Sequence, residues 1–127
     1  MEQNEIYSTV GELRKQLGKY VASVGTIWSG GKITTVVWIQ KLIEIPKRYN
    51  DDHNTRGIEV YGDCVTEVTP RKCKIYGSSF GLDVKLKHYR TNAQDFFRKP
   101  TKEEMNIYRD FWRKYRIFGT LPNYGYY

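Results

Sequence analysis

The sequence predicts an α+β fold: a short N-terminal helix, a curled antiparallel sheet or partly open small barrel of about five strands, and a C-terminal helix packed on it. Three observations carry that expectation. Two S/T-x-x-E capping boxes, Thr9 to Glu12 and Thr101 to Glu104, each open a helical pattern near one end of the chain. Between them lie runs rich in β-branched and aromatic residues, punctuated by glycine turns. The last helix carries an aromatic stripe that needs a sheet to bury it.

Taken in order, Thr9-Val10-Gly11-Glu12 caps the first helix, and Leu13 and Leu17 follow at i, i+4. Gly18 supplies the residue best able to take the left-handed conformation that ends it. Tyr20 to Trp28 reads as a strand, Ser29-Gly30-Gly31-Lys32 as a hairpin turn, and Ile33 to Ile45 as the returning strand, closed by Pro46. In that strand Val36, Trp38 and Leu42 alternate with Val37, Ile39 and Ile43. Both faces are apolar, which places it in the middle of the sheet. Lys47 to Gly57 is a polar loop. Ile58 to Val68 and Lys72 to Tyr76 form the next two strands, and Gly77 to Gly81 a turn. Leu82, Val84, Leu86 and His88 alternate with Asp83, Lys85, Lys87 and Tyr89, the pattern of a half-buried strand with two lysines outside. Phe96 and Phe97 staple the following loop to the core. The second helix runs to about Phe118. Its stripe is Met105, Tyr108, Phe111, Trp112 and Tyr115.

At 127 residues the chain has the length of one domain, 1–127, and enough to bury a core without staples. The opening Met-Glu-Gln-Asn-Glu is acidic and polar, unlike a signal peptide, and the longest apolar run, Val36 to Ile39, is far short of a span of about 20 residues. The expectation is a soluble cytoplasmic protein with no membrane partner. Cys64 and Cys73 lack the tight spacing of a zinc site and are read as two buried reduced thiols, which a hairpin of the two adjacent strands could set face to face in the core. Asp51-Asp52-His53 is explained by an exposed loop, and no metal or other cofactor is expected.

Catalytic chemistry finds no foothold. There is no G-x-S-x-G, P-loop or dinucleotide fingerprint. The Glu103-Glu104 pair sits where a helix start favours carboxylates anyway, and His88 falls on the apolar side of its strand. No nucleophile, base and orienting group can be named together, so the reading is non-enzymatic.

Charge points elsewhere. The formal net charge is +7, and it is unevenly spread. Met1 to Pro70 holds 8 Lys and Arg against 9 Asp and Glu, whereas Arg71 to Tyr127 holds 13 against 5. Such asymmetry suits an anionic partner. Eleven Tyr, five Phe and three Trp interleave with those cations. The candidate ligand-binding set is Lys85, Lys87, Tyr89, Arg90, Arg98, Arg113 and Arg116, with Lys99, Arg109 and Lys114 in the same basic and aromatic constellation. Cations neutralise phosphate, and rings stack on bases.

Tyr89-Arg90-Thr91-Asn92-Ala93 and Phe97-Arg98-Lys99-Pro100-Thr101-Lys102-Glu103-Glu104-Met105 resemble the closing segment of small uncharacterised accessory proteins of gut bacteriophages, where a strand ending in Tyr-Arg leads into an R-x-[AP]-T-x-E-E helix start. The resemblance covers about a quarter of the chain, and most of its motif is capping chemistry. It implies a phage accessory or anti-defence protein of the host cytoplasm, acting by sequestering nucleotides or blocking nucleases. It transfers no site residue. The first functional expectation is a non-enzymatic binding protein for a phosphate-bearing ligand, nucleic acid or signalling nucleotide. The alternative is a protein–protein inhibitor or virion component that docks a host protein through its aromatic tail and basic helix. The tail tyrosines, Tyr124, Tyr126 and Tyr127, are expected to pack on a neighbouring subunit, giving a homo-oligomer.

Overall fold

A computed structural model describes residues 5–68, 73–75, 89–92 and 95–118. The chain begins with β1 (Ile6–Tyr7) and α1 (Val10–Arg14). It continues through β2 (Tyr20–Ser29), β3 (Lys32–Glu44), β4 (Glu59–Val68), β5 (Cys73–Ile75), β6 (Tyr89–Asn92) and β7 (Phe96–Arg98) to α2 (Lys102–Phe118). The strands pair antiparallel in the order β1-β7-β2-β3-β4-β5. β6 joins the outer edge of β4 alongside Glu59 to Gly62, and β5 joins that edge alongside Thr66 to Val68. This is the α+β arrangement expected: a curled open sheet with a short N-terminal and a longer C-terminal helix. The turn Gly77 to Gly81, the strand pattern Leu82 to His88 and the tail 119–127 lie outside the described residues.

The β2–β3 hairpin is the backbone of the sheet. Gly30 and Gly31 both have positive φ, 58° and 78°, which is what a two-residue turn of matching twist demands. The register then runs unbroken from Ser29↔Lys32 back to Tyr20↔Lys41. Both faces of β3 are buried, as its apolar pattern required. On one face Leu42 packs with Tyr7, Val10, Leu13, Val21, Val60 and Phe97; on the other Ile39 packs with Ala22, Val68, Tyr108 and Phe111. The first face is covered by α1 and the loop 45–58, the second by α2.

α1 is shorter than the sequence suggested. The capping box forms as read, with Glu12 N–H donating to Thr9 Oγ1 and Thr9 N–H to Glu12 Oε1. The helix nevertheless stops at Arg14, and Leu17, expected beside Leu13, is 43% exposed. The polar loop explains this. Val10 N–H donates to His53 O, Gly11 N–H to Asp51 O, and the Arg14 guanidinium bonds Asp51 and the Tyr49 carbonyl. Held there, the chain must turn at once to reach β2. Gly18 does so at φ +82°, donating its N–H to Leu42 O.

Two further expectations are corrected. Phe96 and Phe97 belong to a strand, not a stapled loop, and β7 lies between β1 and β2 with Phe97 fully buried. Nor do the cysteines face each other: Cys73 pairs with Val68, whereas Cys64 sits at φ +52° in a kink of β4. Cys64 forms no disulfide. A non-glycine residue in that conformation needs surrounding bonds to hold it. α2 provides them. Tyr108 O–H donates to Cys64 O at 3.1 Å, Thr66 Oγ1 to the same carbonyl at 2.9 Å, and Trp112 Nε1 to Thr66 Oγ1 at 2.9 Å. The aromatic stripe thus supplies apolar bodies to the second core and polar tips to the kink. Tyr108 and Phe111 are buried, and Met105 and Trp112 partly so. The Tyr115 side chain lies outside the description.

A buried polar chain fixes the other face. Gln40 Nε2 donates to Ser23 Oγ, and Thr91 Oγ1 donates to Gln40 Oε1 at 2.9 Å, linking β2, β3 and β6. The chain crosses β4 where Gly62 has no side chain; a Cβ there would meet three Gln40 atoms at 3.0 Å. Because Gln40 is fully buried and held at both ends, it has nowhere to move. Gly62→Ala is therefore expected to cost about 1–3 kcal/mol, as overpacking in tight cores does, measured by denaturant unfolding. A variant as stable as the parent would show that the amide is loosely held.

The start of α2 is tied to β7 by a two-pronged ion pair. Arg98 Nη1 and Nη2 donate to Glu104 Oε1 and Oε2, each at 2.8 Å, with side chains only 12% and 17% exposed. Glu104 also accepts from Thr101 N–H, and Glu104 N–H donates to Thr101 Oγ1, completing the predicted capping box. Burial alone would raise the Glu104 carboxyl; the Arg98 and Thr101 bonds outweigh it and hold the group below the usual carboxylate range. A depressed carboxyl contributes stability that is present above its unfolded pKa, about 4.3, and lost as pH falls through the folded value. Urea unfolding at stepped pH should show Glu104→Gln less stable than the parent at pH 6. The gap should shrink steadily below about pH 4. A gap unchanged down to pH 2.5 would mean the pair contributes nothing through ionisation.

Candidate functional site

Of the expected ligand-binding set, the side chains of Arg90, Arg98 and Arg113 are described, and each is paired with an acid. Arg98 is committed to Glu104 inside the β7–α2 junction. Arg90, on β6, stands 3.5 Å from Glu59 and is largely exposed. Arg113 bonds Asp110 at 2.7 Å, and Lys114 approaches the same carboxylate at 3.1 Å. Those two cations hold Asp110 below the usual carboxylate range. Tyr89 and Arg116 lie in β6 and α2, but their side chains are outside the description, as are Lys85 and Lys87. Each arginine of the set whose side chain is described thus already faces an acid, and the basic face of α2 is partly neutralised by its own Asp110.

Three other cations behave differently. Lys19, Lys99 and Arg109 line a cleft of about 410 Å³ and form no ion pair among the described residues. Each is held by a fixed piece of backbone. Lys19 follows Gly18 in the turn into β2, its N–H donating to Gln16 O and its carbonyl accepting from Leu42 N–H. Lys99 extends the β1–β7 pairing by one step, its N–H donating to Glu5 O at 2.7 Å. Arg109 stands one turn beyond Met105 on the same flank of α2, and both residues line the cleft.

Tyr20, Tyr7, Gln16, Pro100 and Glu5 complete the lining. Tyr20 opens β2 and leans edge-on against Tyr108, ring centres 5.5 Å apart, while remaining partly exposed. That contact fixes the ring without hiding it. Burial, and then the Glu5 charge, push the Tyr7 phenol above its ordinary value, so it remains an O–H donor at neutral pH. Three cations against one carboxylate leave the cleft electropositive. Chemically it offers charge-assisted donors for an anion, an aromatic edge and the thioether of Met105. The described lining contains no Ser, Thr, Cys or His to act as a nucleophile or base. Among the described residues no group of three or more His, Cys, Asp and Glu is placed to hold a metal ion.

Sequence reasoning reached part of this site. Lys99 and Arg109 stood in the basic and aromatic constellation, but Lys19 and Tyr20 did not, because they lie in the half of the chain whose charges nearly cancel. The signal that was present is local: a lysine and a tyrosine directly after Gly18, where the chain must turn into a strand. No helix among the described residues is long and apolar enough to cross a membrane. No protein-family model, curated protein or solved structure matches this chain.

Proposed function

We propose that the chain is a non-enzymatic binding protein for a small phosphate-bearing ligand of nucleotide size, held in the cleft of Lys19, Lys99 and Arg109. The observation that supports this reading is the convergence on one aromatic-edged concavity of three cations that form no ion pair among the described residues. Its volume of about 410 Å³ falls within the range of small-molecule sites, about 300–1,000 Å³. Arg109 suits a forked approach to phosphate oxygens, the two lysines act as point charges, and Tyr20 offers a ring for a base. A long polyanion calls instead for cations in a continuous stripe. The arginines that would have extended such a stripe along β6, β7 and α2 are engaged with Glu59, Glu104 and Asp110. In a phage accessory protein, which the C-terminal segment resembles, this would sequester a signalling nucleotide in the host cytoplasm.

A thermal-shift panel of mono-, di- and cyclic nucleotides, followed by calorimetry on the best, tests the reading. A ligand at 100 times its Kd should stabilise the fold by about 2.7 kcal/mol. Arg109→Ala and Lys99→Ala should each weaken it about tenfold or more, since hydrogen bonds to charged groups contribute about 1.5–3 kcal/mol. Arg113→Ala, on the outer face of α2, should leave affinity unchanged. No shift with any nucleotide at millimolar concentration would overturn the proposal. So would steeply salt-dependent binding to single-stranded DNA that ignores Arg109→Ala.

A further inference from the structure

Past Gly25 and Val36 the β2–β3 hairpin has no further strand partner among the described residues. β7 pairs with β2 only as far as Val24, and β4 with β3 only as far as Val37. From Thr26 to Thr35 the hairpin is a two-stranded arm, and no described strand adds to either outer edge. Cross-strand partners share a face, and faces alternate along a strand. Trp28↔Ile33 and Thr26↔Thr35 therefore lie on the face of Val24↔Val37, the face that α2 covers farther down. Trp28 is 71% exposed and Ile33 65%. At the base of the arm a groove of about 310 Å³ opens on the same face, with Val37 and Val68 along the sheet, and Ile107 and Glu103 on α2.

The arm tip and the groove complement each other. The tip is apolar with one cation, Lys32; the groove is apolar with the exposed carboxylate of Glu103 at its lip. Neither charge has an ion-pair partner among the described residues. The spacing matches too. Thr35 is two residues from Ile33 and two from Val37, about 7 Å along the strand in each direction. A two-fold axis through the Thr26↔Thr35 pair would bring the tip of each copy level with the groove of the other.

We propose that two copies of this chain associate by exchanging arms across that axis. Trp28 and Ile33 of each copy seat against Val37, Val68 and Ile107 of the other, and Lys32 meets Glu103. A two-fold interface needs one self-complementary patch, and this face carries both halves of it. Two tryptophans burying about 150–250 Å² apiece supply about 300–500 Å², only part of the roughly 1,200 Å² at which stable interfaces begin, so association no tighter than the micromolar range is expected.

Sedimentation equilibrium of the full chain tests this. The parent should show a reversible monomer–dimer equilibrium complete by about 100 µM. Trp28→Ala, Lys32→Glu and Glu103→Lys should each weaken association about tenfold or more. Lys32→Glu combined with Glu103→Lys should restore it to within about threefold. Trp28, Lys32 and Glu103 are exposed, so melting temperatures compared at about 1 µM or below, where every protein is monomeric, should match the parent for Trp28→Ala and Lys32→Glu and fall only slightly for Glu103→Lys, which loses a favourable first-turn carboxylate. A parent that is monomeric at about 100 µM, a dimer that survives Trp28→Ala, or a double variant no better than the single ones would overturn the proposal.

Discussion

Everything on the far side of the sheet hangs on the Arg98–Glu104 fork. β7 is three residues long and ends at Arg98; α2 begins at Lys102. Such a short link would let the helix swing unless something fixed its first turn. The fork does, by bonding a guanidinium on the strand to a carboxylate on the helix in one fixed plane. A nearly buried ion pair contributes little net stability unless its remaining bonds are satisfied. Here Thr101 N–H adds a bond to the acid and the Lys99 carbonyl one to the base. With the first turn fixed, Tyr108 and Trp112 reach the kink at Cys64 and Thr66, and Arg109 reaches the cleft. An arginine that composition marks as a phosphate ligand is bonded to the start of α2 and fixes where that helix begins.

The two faces of the sheet are specified by different means. On the α2 face the packing is aromatic, and the one irregularity, the left-handed Cys64, is held by hydrogen bonds from the helix and from Thr66. On the α1 face the core includes a buried amide. Gln40 sits where the β3–β4 register shifts, between Ile39 and Lys41. Slipping β3 by one residue would carry Gln40 into the aromatic core and leave Ser23 and Thr91 without it, so the polar chain selects one register. Gly62 is part of that device, since the amide occupies the space a side chain would fill.

The sequence showed most clearly what local chemistry dictates. Both capping boxes, the Gly30-Gly31 turn, the two-faced β3 and the stripe of α2 were legible because each is set by residues within a few positions of one another. β1 and β7 were not, being two and three residues long and too short for an alternation to register. Their strand geometry comes from the partners they find about 90 residues apart in the chain. Leu17 was misplaced for a related reason: helical spacing continued past Arg14, but contacts from the loop at Asp51 and His53 did not allow the helix to. The cleft was only half visible because it joins Lys19 and Tyr20 to Lys99 and Arg109, and nothing in the intervening sequence records that closeness.

α2 separates two surfaces with different chemistry. Met105 and Arg109 face the cleft, while Glu103 and Ile107, about half a helical turn of azimuth away, face the groove. β2 separates them lengthwise as well: Tyr20 starts the strand and Val24, the partner of Val37 in the groove, lies four residues on, about 13 Å away at strand spacing. An anion entering the cleft and an arm entering the groove would therefore touch the same helix on opposite flanks without touching each other. Coupling between them would require the helix to shift. The fork at its first turn and the Tyr108 and Trp112 bonds along its middle oppose that shift at two separate points. On this geometry the proposed ligand capture and the proposed self-association would be independent, and the proposed dimer would present two equivalent clefts rather than one composite site.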